Sequence, residues 1–84
     1  MQKTEPIKAD SLETTLEELV LLLPDREVRI PWSECSLKLA EASPQEREHA
    51  ELSPGGYGIH WSLIDEDLSI SGLIRQHEDT SEVN

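Results

Sequence analysis

The residue types able to do chemistry crowd into one stretch, GGYGIHWSLIDEDLSISGLI, from Gly55 to Ile74. It holds His60 beside Trp61, then the run Asp65, Glu66 and Asp67, with Gly55, Gly56 and Gly58 ahead of them. An imidazole near several carboxylates could hold a metal ion or relay a proton. A hard cation takes its oxygens from a loop of defined spacing, and the calcium-loop pattern does not occur here. Zinc takes paired Cys or His ligands, which Cys35 and the scattered His49, His60 and His77 do not supply. No metal and no cofactor is therefore expected, and adjacent acids read first as a solvated turn.

The remaining candidates are weighed in the same way. PGGYG lacks the spacing of a dinucleotide fingerprint and the lysine of a phosphate loop. Gly55 and Gly56 suit positive-φ positions between a helix and a strand. Gly58, inside an alternating pattern, marks a bulge or the close approach of another backbone. Cys35 lies on an apolar stripe with Leu39 and Ala42, where a thiol behaves as a small hydrophobe rather than a nucleophile. General acid–base work by Asp65 or Asp67 needs a pocket that raises a pKa, and no pattern defines one. Trp32 and Trp61 are the largest apolar side chains in a chain without Phe, so they read as core first and interface anchor second.

These residues must be positioned by short elements. ELVLLLPDREVRIPW reads as a hairpin: an apolar run Leu19 to Leu23, a turn at Pro24-Asp25, then Val28 and Ile30 alternating with Arg29. The segment DSLETTLEELVLLL, which includes that run, also fits a helix, with Leu12, Leu16, Leu19, Val20 and Leu23 at helical spacing behind a capping box of Asp10 and Glu13; the need for a pairing neighbour favours the hairpin. Ser33 predicts a helix over Glu34 to Ala42, with Leu37 and Ala40 beside the apolar stripe. Ser43-Pro44-Gln45-Glu46 is a capping box with proline at the first helical position, opening a second helix that runs to about Leu52. Tyr57, Ile59 and Trp61 alternate as a strand, and Leu68 and Ile70 as another, before a helical turn at Gly72 to Ile74. The expected class is α+β: a small antiparallel sheet, an N-terminal hairpin plus C-terminal strands, with two short helices packed on one face. One domain spans residues 7–75, between disordered ends at 1–6 and 76–84.

Composition narrows the partners. Asp and Glu number 18 against 7 Lys and Arg, a formal net charge of -11. Such a surface repels a phosphate backbone, whose binding depends on Lys and Arg displacing counterions. It suits a basic protein partner or simple solubility. A lone cysteine excludes an internal disulfide, the N-terminus has no signal-peptide pattern, and the longest apolar run is far short of the roughly 20 residues of a membrane span. A cytoplasmic location without membrane attachment is expected, and a homodimer is compatible with so small a domain.

The element GYGIHWSLIDEDLSISGLI, preceded by the helix PQEREHAEL and a hairpin ending RIPW, resembles the small bacterial family called domain of unknown function 2442. The likeness covers Ile7 to Ile74, and G-x-G-I-H-W with D-E-D-L-S-I-x-G-L is its most specific part. The turn Pro24-Asp25-Arg26 departs from the family pattern by lacking a glycine. The resemblance implies an α+β fold with an N-terminal antiparallel hairpin. It also implies membership of two-gene cassettes of toxin–antitoxin type, some longer relatives carrying a helix-turn-helix segment that this chain lacks.

Together these point to a non-enzymatic, acidic interaction module, antitoxin-like, that binds a small basic protein such as a toxin. The signature surface would comprise Arg47, Gly56, Gly58, His60, Trp61, Asp65, Glu66 and Asp67. Trp61 is its expected anchor, the acids its charged rim, and Arg47 an internal counter-ion for the acid cluster. The alternatives are a transcription-associated nucleic-acid-binding module and a small metal-dependent enzyme centred on His60 and Asp65–Asp67.

Overall fold

The apolar run from Leu19 to Leu23 needs cover on both sides, and the fold supplies it by placing that run in the middle of a sheet. In the computed structural model, which describes residues 6–81, β1 (Ser11–Thr14), β2 (Glu18–Leu22) and β3 (Glu27–Pro31) form an antiparallel meander with β2 central. Leu19 and Leu21 face the core, fully buried. Val20 points the other way, yet is only 2% exposed, in register between Glu13 and Arg29. On that outer face Arg29 donates to Glu27 at 2.6 Å and to Glu18 at 3.2 Å. These hydrogen bonds, the one to Glu27 first, raise the guanidinium pKa above its ordinary value. Pro31 closes β3, an edge strand, where a missing N–H does no harm.

The predicted hairpin is thus present, and a third strand pairs beside it where the helical alternative began. Leu12 and Thr14 turn one face toward the core side while Ser11 and Glu13 stay outside, a period of two that only the pairing with β2 makes decisive.

The helix expected over Glu34–Ala42 is broken into α1 (Trp32–Cys35) and α2 (Leu37–Glu41). Ser36 is extended between them, and its hydroxyl accepts from the Leu39 N–H at 3.2 Å. The cap is therefore Ser36 and not Ser33: a serine that caps a new helix competes with continuing the old one. The break turns Leu37 out to 82% exposure, while Cys35 and Leu39 stay buried.

The capping box is formed as predicted. In α3 (Pro44–Glu48) the Ser43 hydroxyl accepts from the Glu46 N–H, and the Glu46 carboxylate accepts from the Ser43 N–H. The helix ends at Glu48 instead of reaching Leu52, because Ala50–Leu52 form β4, paired with β5 (Gly58–Trp61). β6 (Glu66–Ser69) pairs on the other side of β5. The strands therefore make two three-stranded antiparallel sheets in an α+β fold, rather than one sheet.

The chain ends in α4 (Ile70–Ser81), longer than the expected single turn, so residues 76–81 are helical rather than a disordered tail. Ser69 stops β6 by accepting from the Gly72 N–H at 2.9 Å, the usual service of a helix N-cap. Ile70, Leu73 and Ile74 enter the core. Polar contacts hold the far half of the helix: His77 to Glu34 at 3.3 Å and Arg26 to Glu78 at 3.2 Å. The expected disorder of residues 1–5 and 82–84 lies outside the described residues. Among the described residues no helix is long and apolar enough to cross a membrane.

The two sheets meet at the tryptophans. Trp32 follows β3 and Trp61 ends β5, and their rings pack edge to face with centroids 6.4 Å apart. Such a pair adds about 0.5–1.5 kcal/mol beyond the area it buries.

Candidate functional site

The face of the second sheet that points away from the core carries the polar residues of the signature. The register sets Glu51, His60 and Asp67 side by side across β4, β5 and β6. His60 Nδ1 lies 2.8 Å from Asp67 Oδ1; the His60 side chain is partly exposed and Asp67 is open to solvent, 74% exposed. Two pairs along, on the same face, Gly58 faces Ser69. Gly58 and the small serines leave an open groove of about 260 Å³, lined by Ser53, His60, Asp67 and Ser69 over the β5 and β6 backbone.

The other expected site residues do not join this face. Trp61 alternates with His60 and is completely buried, so it is core and not an anchor. Its Nε1–H donates to the Arg47 carbonyl at 3.2 Å, and the Trp32 Nε1–H to the Thr15 carbonyl at 2.9 Å. The acid triplet does not converge. Asp65 sits in the β5–β6 turn with φ of 52°, while Glu66 and Asp67 belong to β6 and point to opposite faces. Among the described residues no group of His, Cys, Asp or Glu side chains gathers to hold a metal ion.

Arg47 is a correction of a different kind. It makes no ion pair with Asp65, Glu66 or Asp67. Its guanidinium donates to the carbonyls of Leu39 at 2.9 Å and Ala40 at 3.0 Å, and lies 5.4 Å from the centre of the Trp32 ring. It thus satisfies carbonyls in the last turn of α2 and covers one tryptophan, while its own carbonyl holds the other. An arginine reaching backbone acceptors eight residues back leaves no pattern in the sequence. Arg47→Lys keeps the charge but loses the planar fork, and is expected to lower stability by about 1–3 kcal/mol. Urea unfolding followed by circular dichroism measures it, and an unchanged midpoint would remove Arg47 from the joint between the sheets.

Gly56 and Gly58 have separate jobs. Gly56 has φ of +80°, and a Cβ there would lie 2.3 Å from the Ala9 carbonyl oxygen. The N-terminal segment crosses at this point, with the Ala9 N–H donating to the Gly56 carbonyl at 2.8 Å. Gly58 forms neither a bulge nor a tight crossing: its pairing with Ser69 is continuous with the register, and an added Cβ would make an ordinary contact 3.4 Å from the Leu68 carbonyl oxygen.

Cys35 is 4% exposed, and its thiol pKa is pushed up to about 12, first by burial and then by the charge of Glu34. A thiol held protonated across the ordinary pH range is no nucleophile.

The family model described as protein of unknown function, DUF2442, matches residues 10–79, from the start of the first sheet into the last helix. The chain belongs to this family. In this DUF2442 protein the signature's alternation splits into two roles, Ile59 and Trp61 for the core and His60 and Asp67 for the outer face. A crystal structure of a protein of unknown function from Rhodospirillum rubrum has a similar fold, with a TM-score of 0.75 over 84% of this chain and 88% of that one. At 24% identity that likeness concerns the fold alone. No curated protein matches the DUF2442 chain.

Proposed function

We propose that this protein is a non-enzymatic, acidic interaction module of the cytoplasm, antitoxin-like in kind, whose ligand is a small basic protein. The observation that carries the reading is how the charge is distributed. The chain has a surplus of 11 negative charges, and several of its few cations are engaged internally. Arg29 is bonded to Glu18 and Glu27, and Arg26 to Glu78. Lys38 donates to the carbonyls of Ile64 and Asp65, and Arg47 to those of Leu39 and Ala40. The outward field is therefore set by exposed carboxylates such as Asp10, Glu13, Glu41, Glu48 and Glu51. A field of one sign speeds encounter with a cationic protein and competes with nucleic acid for its basic face. The two-gene arrangement that the family resemblance implies supports the antitoxin-like form of this reading.

The test is affinity capture of the tagged, full-length chain from the cytosol of its own host at low ionic strength. A small basic protein should be retained and should elute as salt rises to a few hundred millimolar, where the screening length falls below about 8 Å. Recovery of the chain by itself counts against the proposal, and retention of DNA would move the reading to a nucleic-acid module.

A further inference from the structure

We propose that the groove on the outer face of the second sheet, floored by Gly58 and rimmed by His60 and Asp67, seats an arginine side chain of the basic partner. The inference rests on the reading of this chain as a ligand for a basic protein and says where contact is made. The glycine is the first observation. A glycine inside a strand costs roughly 0.5–1 kcal/mol relative to alanine, because it loses more backbone freedom and packs nothing. At Gly56 the backbone demands glycine; at Gly58 it does not, since the φ is not left-handed and a Cβ would fit. What the missing side chain does at position 58 is open the groove.

Charge and hydrogen-bonding capacity select the occupant. Asp67 uses one oxygen on His60 and remains 74% exposed, so its carboxylate can accept a cation from solvent. Glu51, exposed on the far side of His60 in the same cross-strand row, adds to the negative potential. The Ser53 and Ser69 hydroxyl oxygens already accept from the Gly58 and Gly72 N–H groups, which fixes both side chains at the groove walls. A flat floor with a carboxylate at its rim suits a planar guanidinium better than an ammonium. A second groove, of about 370 Å³ on the first sheet beside Thr15 and Glu18, is a poorer seat because Arg29 lines it and presents a like charge.

The probe is a nine-residue peptide alternating arginine and serine, titrated into the 15N-labelled full-length chain at low salt. Amide shifts should be largest at Ser53, Gly58, Asp67 and Ser69. Asp67→Asn should weaken binding about tenfold, the loss of one charge-assisted pair. Asp25→Asn, which removes the same charge from an exposed turn on the first sheet, should change it less than about twofold. Gly58→Val should also weaken binding; its amide spectrum reports whether the fold persists, and Asp67→Asn carries the test if it does not. The lysine counterpart of the peptide should bind more weakly. Binding with shifts centred elsewhere, or equal losses for Asp67→Asn and Asp25→Asn, overturns this assignment and leaves the acidic-module reading standing. No binding of the arginine peptide at low salt overturns both.

Discussion

Gly56→Ala is expected to destabilise the protein by about 3 kcal/mol, while Gly58→Ala, two residues away, changes stability by less than about 1 kcal/mol. The difference has three sources. An L-residue held at φ of +80° costs roughly 1–2 kcal/mol. The new Cβ would sit 2.3 Å from the Ala9 carbonyl oxygen, and a backbone atom in a bonded segment cannot swing aside as a side chain can. Moving that segment away breaks the Ala9–Gly56 hydrogen bond, another 0.5–1.5 kcal/mol or so, and uncovers Ala9, which is 3% exposed. Gly55 separates the causes. Its φ is +88°, but its Cβ would meet only the half-exposed Tyr57 ring, so Gly55→Ala should cost about 1 kcal/mol. Urea titrations of the three variants measure the order. Equal midpoints for Gly56→Ala and Gly58→Ala would show that the crossing of the N-terminal segment contributes nothing.

Trp61→Ala carries the other large effect, about 3–5 kcal/mol, because an indole removed from a fully buried site leaves a cavity that its neighbours fill only in part. A domain of 84 residues has a total stability of about 4–12 kcal/mol on a per-residue scale. The loss is therefore a large fraction of the total, seen as a much lower urea midpoint, and at the low end of that range as loss of amide dispersion as well. Trp61→Phe keeps an aromatic ring against Trp32 but leaves the Arg47 carbonyl without its donor. It should cost about 1–3 kcal/mol and remain folded. If Trp61→Ala were to unfold at the same urea concentration as the parent, the tryptophan pair could not be what joins the sheets.

Legibility followed the range of the forces involved. The Ser43–Glu46 capping box was readable because all its partners lie within one turn of helix. The strand Gly58–Trp61 was readable because its period of two reflects burial on one face. The strand Ala50–Leu52 was not: its residues continue an acceptable helix, and only β5 alongside makes extension the better choice. Ser36 does not stand out as a cap in the sequence because Ser33 is equally good locally, and what separates them is that Leu39 enters the core while Leu37 does not. At the site, His60 and Asp67 were readable as polar neighbours of a turn, whereas Glu51 came to them only through strand pairing. Trp61 is core, as its size suggests, and only its anchor role fails; the internal place of Trp61 and the carbonyl-capping role of Arg47 depend on burial, which residue type alone does not reveal.

By itself, then, the sequence determined the α+β class, the hairpin at Pro24-Asp25, the glycine positions of positive φ and the surplus of negative charge. Each depends on local backbone preference or on composition, which need no knowledge of distant neighbours. Tertiary structure decided that the strands divide into two sheets, that both tryptophans and Arg47 serve the joint between them, and that Gly58 opens a groove instead of easing a crossing. Those outcomes turn on which face of an element is buried against what, and burial is a property of the whole fold.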